Sequence, residues 1–252
     1  VTRKVIIIPA RFASTRLAGK PLLDICGEPM ICHVYRRASA IAGIDTVAVA
    51  TDDQRIASCI RDIGGTAFLT DTNHSSGTDR IAEVARQMEL EADAVVVNIQ
   101  GDQPLISREP VQKMIELLAG DSEIHMATAA CPLQADEITN PNRVKVVLDS
   151  NYRALYFSRA PIPFDRDGTY RPHGSCCYLR HIGIYAYRNS FLQELVTLPV
   201  SWLEQMEKLE QLRALENGFR IGVAIVDDSP LDVDTAEDIE AVRAMMQAMS
   251  GE

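Results

Sequence analysis

From its fourth residue to about Ala119 the chain alternates short apolar runs with amphipathic stretches of helical spacing. Lys4–Pro9 (KVIIIP), Thr46–Thr51, Thr66–Thr70 and Ala94–Gln100 (AVVVNIQ) read as buried strands. Between and after them, Pro29–Ala40, Asp53–Ile63, Gly77–Glu89 and Arg108–Ala119 read as helices, with Pro in the first turn of the first and Ser107 capping the last. Strands that are apolar throughout have both faces covered, and strand–helix–strand units in series lay their strands parallel. The expected fold class is therefore α/β, with a mostly parallel, doubly wound sheet.

The rhythm changes after Ala130. Val144–Leu148, Ala154–Phe157 and Ile182–Tyr187 read as strands with no long helix between them, which predicts an antiparallel excursion enclosing the polar loop Phe164–Arg180. Helical spacing returns at Trp202–Asn217, where Ser201 and Glu204 form a capping box and Gly218 supplies a stop. Arg220–Val226 reads as a strand and Thr235–Met249 as the final helix. With no internal repeat and no low-complexity linker, the economical organisation is one α/β domain, 1–252, carrying a small inserted antiparallel lobe, 132–188.

Charge excludes some functions. The 35 Asp and Glu outnumber the 25 Lys and Arg, and a net charge of −10 argues against a nucleic-acid binder, whose footprint is basic. No apolar run approaches the ~18–20 residues of a membrane helix, and no secretory pattern opens the chain, so neither membrane insertion nor export is expected. Six cysteines without CxxC or zinc-ligand spacing read as reduced cytosolic thiols. Residues 1–37, however, hold seven Lys/Arg and only two Asp/Glu, which suggests a local anion site.

That site falls in the loop Pro9–Pro21 (PARFASTRLAGKP), which follows the first strand. Arg11, Arg16 and Lys20, with Ser14, Thr15 and Gly19, stand at a strand's carboxyl end, where open α/β sheets place ligands. Guanidinium, ammonium, hydroxyl and backbone N–H groups together suit a polyphosphate, although a solvated basic loop would share the composition. Neither GxxxxGK[ST] nor GxGxxG is present. Asp102 follows the most apolar strand, and Asp234 lies between the last strand and the last helix, so both carboxylates fall on the carboxyl-end side of the sheet. Two such carboxylates suit Mg2+ shared with substrate phosphates. The competing readings are a turn residue for Asp102 and a helix N-cap for Asp234. Asp232 and Asp234 also spell DxD, but in glycosyltransferases that motif usually follows a mid-chain strand. Arg159 and His181 flank the excursion and could meet over an acidic sugar, by a bidentate and a single hydrogen bond respectively. A histidine beside IGIYAY is as readily structural.

These segments resemble the sugar cytidylyltransferases, in particular those that activate 3-deoxy-manno-octulosonate (Kdo). The resemblance runs through PARFASTRLAGKPL, ATDD (Ala50–Asp53), HSSGTDR (His74–Arg80), NIQGDQP (Asn98–Pro104), NPNRVKVVLD (Asn140–Asp149), ALYFSRAPIP (Ala154–Pro163), RHIGIYAYR (Arg180–Arg188), LEQLR (Leu209–Arg213) and VDTAEDIE (Val233–Glu240). Nine collinear motifs span nearly the whole chain. Three positions depart from the pattern: Ala18 stands where Pro is usual, Gln103 where Glu is usual, and Asp232 where Gly is common.

The resemblance implies a Rossmann-like nucleotide-diphospho-sugar transferase sheet and the reaction CTP + Kdo → CMP-Kdo + diphosphate. It implies Arg11, Ser14, Lys20, Ser76, Arg80 and Gln100 on the nucleotide, with Gln100, Arg159, His181, Tyr185, Glu210 and Gln211 on the sugar. Arg11, Lys20, Asp102 and Asp234 are implied as catalytic, the two aspartates holding Mg2+. A homodimer joined through the lobe, a Gram-negative cytoplasm and a product for lipopolysaccharide or capsule follow from the same likeness. The nearest alternative is an acylneuraminate cytidylyltransferase. A nucleotide-binding regulator that has lost turnover is another, but it would be expected to lack Lys20 or one of the aspartates.

Overall fold

The computed structural model describes residues 2–13, 17, 19–168 and 178–250. Ser14, Thr15, Arg16, Ala18, Cys176 and Cys177 lie outside them. In chain order the elements are β1 (Lys4–Ala10), the short hairpin β2 (Asp24–Ile25) and β3 (Glu28–Pro29), α1 (Met30–Ser39), β4 (Thr46–Thr51), α2 (Gln54–Asp62), β5 (Thr66–Leu69), α3 (Gly77–Gln87), β6 (Val95–Asn98) and α4 (Arg108–Gly120). Then follow β7 (Ile124–Pro132), β8 (Lys145–Leu148), β9 (Ala154–Ser158), β10 (Leu179–Arg188), α5 (Asn189–Leu195), α6 (Trp202–Glu207), α7 (Gln211–Glu216), β11 (Arg220–Ile225) and α8 (Ala236–Ser250). The chain divides into two compact units, Val1–Arg108 with Pro230–Glu252, and Glu109–Ser229.

In the first unit the strands run β5-β4-β1-β6, every neighbouring pair parallel. Val5, Ile6, Ile7 and Ile8 are fully buried, as a strand covered on both faces requires. The chain steps outward from β1 to β4 and β5, then returns to the other side of β1 as β6. The order reverses between β1 and β6, and in doubly wound sheets ligands bind beyond the carboxyl ends at that reversal. Helix α8 belongs to this unit: Ile239, Val242 and Met246 pack with Val233, Ile25 and Met30.

The second unit bears out the antiparallel excursion and adds elements that periodicity did not reveal. Strand β10 pairs antiparallel with β7 and with β8, and β8 pairs antiparallel with β9. Strand β7 was not apparent from the sequence, and β11 lies parallel to it. Helix α5 was also unforeseen. The single helix expected over Trp202–Asn217 is two, because Lys208 takes a left-handed conformation with φ 55°. There the carbonyls of Glu207 and Lys208 accept from Arg159 Nε at 2.7 Å and Nη2 at 3.5 Å instead of continuing a helical ladder.

Candidate active site

A cleft of about 330 Å³ opens at the reversal point, lined by Pro9, Ala10 and Arg11 after β1, by Lys20, Pro21 and Met30, by Gln100, Gly101 and Asp102 after β6, and by Asp234 before α8. Two glycines make this convergence possible. A Cβ on Gly101 would stand 3.0 Å from the Pro9 carbonyl oxygen, so any other residue would press the loop after β6 and the end of β1 apart by a few tenths of an ångström. Gly19 holds φ +68°, a region L side chains rarely adopt, and turns the loop into the short 3-10 turn Lys20–Leu22 that presents Lys20.

Lys20 is the centre of the cleft. Its Nζ donates to Asp102 Oδ2 at 2.7 Å and to Asp234 Oδ1 at 3.1 Å, with only 11% of the side chain exposed. Burial on its own would lower the ammonium's pKa. The two carboxylates, Asp102 foremost, outweigh that and raise it above the ordinary lysine value. Asp234 is not the cap of α8. Thr235 is: Asp238 N–H donates to Thr235 Oγ1 at 3.3 Å, and Thr235 N–H returns a bond to Asp238 Oδ2 at 2.8 Å. The Asp234 carboxylate therefore faces Lys20 rather than the helix end.

The donor chemistry fits a divalent cation. Two hard carboxylate oxygens converge on one cationic centre, and the lysine ammonium stands between them as a cation's stand-in. Among the described residues no group of three or more His, Cys, Asp and Glu could hold a metal. A site supplying one or two carboxylates is what Mg2+ uses when substrate phosphates complete its shell.

Of the other sequence-predicted nucleotide residues, Arg11 and Gln100 line this cleft, and Ser14 lies outside the described residues. Gln100 Nε2 reaches Asn98 Oδ1 at 3.4 Å. Ser76 caps α3 in a capping box with Asp79. Arg80 is 3% exposed and engages Thr70, the Asp71 carbonyl and Asp52, the last at 2.9 Å. These bonds tie the turn after β4 to residues 70–71 and do not join Arg80 to the Lys20 cluster.

Apart from Gln100, the residues expected on the sugar lie in the second unit. His181 is 8% exposed, meets Thr128 Oγ1 at 2.9 Å, and sits edge-on to Phe157 and tilted against Tyr185. Burial, and to a lesser degree Arg180, brings its pKa down to about 3, so the imidazole is neutral. Tyr185 Oη donates to Gln211 Oε1 at 3.1 Å, and burial pushes its phenol well above the ordinary value. Gln211 is 3% exposed, whereas Glu210 is exposed at the start of α7, a consequence of the break at Lys208. Arg159 is held apart from His181, Tyr185 and Gln211 in its bonding: besides Glu207 and Lys208 its guanidinium reaches the Pro141 carbonyl at 3.0 Å. Its backbone N–H donates to the Glu207 carboxylate at 2.9 Å, and its carbonyl accepts from the buried Lys145 ammonium at 2.5 Å. Lys145 was missed as a positioning group. Its place between Val144 and Val146 gave no sign that its charge is buried against three backbone carbonyls.

A family model described as cytidylyltransferase matches residues 5–222. The 3-deoxy-manno-octulosonate cytidylyltransferase of Syntrophobacter fumaroxidans is 53% identical over 244 residues, covering 95% of both chains. The enzyme of the same name from Pseudomonas fluorescens is 50% identical over 250 residues, covering 96% of this chain and 98% of the other. A solved CMP:2-keto-3-deoxy-manno-octonic acid synthetase complexed with CTP superposes with a TM-score of 0.91 at 44% identity, over 98% of this chain and all of that one. A 4-diphosphocytidyl-2C-methyl-D-erythritol synthase, at TM-score 0.65 and 12% identity, shares the fold.

Proposed function

The chain belongs to the 3-deoxy-manno-octulosonate cytidylyltransferase family, and from that premise we propose that it converts CTP and Kdo to CMP-Kdo and diphosphate with Mg2+ held by Asp102 and Asp234. The observation that carries the site assignment is the convergence of these two carboxylates on Lys20 at the reversal point of the sheet. When bound, the cation would neutralise phosphate charge and polarise the α-phosphate. Arg11 and Lys20 hold the triphosphate from the β1 side of the cleft, and Gln100 contacts the nucleotide and the sugar. Ser14, Ser76 and Arg80 are carried as nucleotide-side residues by motif alone, Ser76 and Arg80 acting through the turns they order.

The sugar's anomeric hydroxyl attacks the α-phosphorus in line. Its new O–P bond forms as the bond to the diphosphate oxygen breaks, and no protein nucleophile is required. Catalysis rests on positioning and on charge placed where the leaving group develops it. In the second unit, neutral His181, Tyr185, Glu210 and Gln211 read the sugar, and Arg159 supplies the cation for its carboxylate.

A homodimer through the second unit is part of the same proposal. Leu155 and Trp202, 62% and 65% exposed, leave apolar area that a second copy would cover. Sedimentation as a monomer at micromolar concentration would remove this element. Among the described residues no helix is long and apolar enough to cross a membrane. A cytoplasmic enzyme supplying activated sugar for lipopolysaccharide or capsule agrees with the family.

A substrate panel tests the reading. Diphosphate release from CTP is expected with Kdo and not with N-acetylneuraminate. Release with the nine-carbon acid alone would move the chain to the acylneuraminate enzymes, and no release with either would favour a silent nucleotide binder.

A further inference from the structure

We propose that Gln103 and Asp232 form a clasp that sets the spacing of Asp102 and Asp234, and that they act as one positioning unit. Gln103 Nε2 donates to Asp232 Oδ1 at 2.8 Å, across 129 residues of chain. One partner directly follows Asp102, and the other precedes Asp234 by two residues. Between them the Val233 N–H donates to the Asp102 carbonyl at 3.0 Å. The segment after β6 and the segment before α8 are thus joined at two points, one through backbone and one through side chains.

The side-chain tie is built for this pairing. Gln103 is 2% exposed, so water cannot readily replace a lost partner. Its Oε1 is already buried without a hydrogen bond among the described residues, which leaves the bond to Asp232 as the amide's anchor. A glutamate at position 103 would instead set two carboxylates against each other at low exposure. A glycine at 232 would leave the amide with neither end satisfied. Two positions at which this sequence departs from the pattern it resembles are thus joined in one bond.

The clasp matters because the remaining bridge is a rival of the cation. Lys20 joins Asp102 to Asp234 only while its ammonium stands between them. A divalent cation held by the two carboxylates would compete with the ammonium for them, and the Lys20 link between the two segments would weaken with it. The backbone bond and the Gln103–Asp232 bond do not pass through Lys20, so they would persist and keep the segments that carry the two carboxylates together. This inference rests on the reading of Asp102 and Asp234 as cation ligands. Neither clasp residue lines the cleft.

The test is a double-mutant cycle on the intact chain, reading Mg2+ half-saturation of diphosphate release at saturating CTP and Kdo together with melting temperature. Asp232→Gly and Gln103→Glu are each expected to raise the Mg2+ half-saturation about tenfold, the scale on which groups behind metal ligands act. Because the two residues act as one unit, the double variant is expected to raise it no further than either single variant does, whereas Asp232→Asn, which keeps an acceptor oxygen, is expected to stay within about twofold of the parent. A lowered melting temperature with unchanged Mg2+ half-saturation in the single variants would overturn the proposal. So would a double variant in which the two tenfold losses multiply to about a hundredfold, the mark of residues that act independently. Asp102→Asn, run alongside, separates the two possible failures. If it raises the Mg2+ requirement while the clasp variants do not, the clasp alone is wrong. If it leaves the requirement unchanged, the cation reading falls and the clasp with it.

Discussion

The Lys20 ammonium lies 2.7 Å from Asp102 Oδ2, although 82 residues separate the two in sequence. They meet because β1 and β6 are adjacent parallel strands whose carboxyl ends open on the same side. The ion pair is mostly shielded, with side-chain exposures of 11% and 32%, and Asp234 extends it to a third group. A cationic side chain thus stands between the two carboxylates proposed to hold a metal, so the lysine that completes the cleft would compete with that cation for them.

Lys20→Ala should therefore move two measurements in opposite directions. Without the ammonium, the paired carboxylates should bind Mn2+, used as a probe in the nucleotide-free protein, about three- to tenfold more tightly. Turnover should fall at least about tenfold, because the triphosphate loses a contact made as charge develops on the leaving group. Mn2+ titration followed by electron paramagnetic resonance reads the first, and diphosphate release the second. Weaker Mn2+ binding would show that Lys20 supports the carboxylates rather than competing for them.

The parallel half of the fold was legible because its signal is local: KVIIIP, TVAVAT and AVVVNIQ are continuous apolar runs separated by amphipathic helices. Strand β7 was not, because IHMATAACP is built of small residues that fit strand or helix equally. The break at Lys208 was hidden as well, since neither glycine nor proline marks it and the guanidinium that bonds the carbonyls there belongs to Arg159, far away in sequence. Asp102, Asp234 and Lys20 could be chosen from their places at strand ends, but their mutual contact is a product of strand order. The Gln103–Asp232 bond was seen only as two unrelated departures.

His181 predicts a pH dependence of stability. Its folded pKa of about 3 lies below the ~6.5 of an unfolded histidine, so between those values the unfolded chain binds a proton that the folded chain does not. The sign follows. This contribution to stability is intact above about pH 6.5 and falls as the solution is acidified toward 3, by at most ~1.4 kcal/mol per pH unit. His181→Gln should flatten the dependence of melting temperature on pH between 4 and 6.5. An unchanged slope would mean that the imidazole titrates normally.

Arg159→Ala is expected to raise the Kdo KM about ten- to a hundredfold, from the loss of a charge-assisted contact of ~1.5–3 kcal/mol, while the CTP KM changes less than about twofold. Because the guanidinium also holds the Glu207, Lys208 and Pro141 carbonyls, the melting temperature should fall as well. Arg159→Lys, which keeps the charge, should recover part of the Kdo affinity even if stability remains low. Saturation curves for both substrates, run beside thermal melts, decide the matter. A loss of stability with both KM values unchanged would confine Arg159 to a structural role.

Diphosphate release from CTP and Kdo by Asp102→Asn and Asp234→Asn, measured at saturating Mg2+ on protein shown by circular dichroism to be folded, bears most directly on the shared carboxylate site. Each variant should retain less than about a tenth of the parent turnover, since an interaction made at the transition state is worth at least ~1.4 kcal/mol per decade of rate. Either variant keeping more than that tenth would show that the reaction does not pass through a cation held between Asp102 and Asp234.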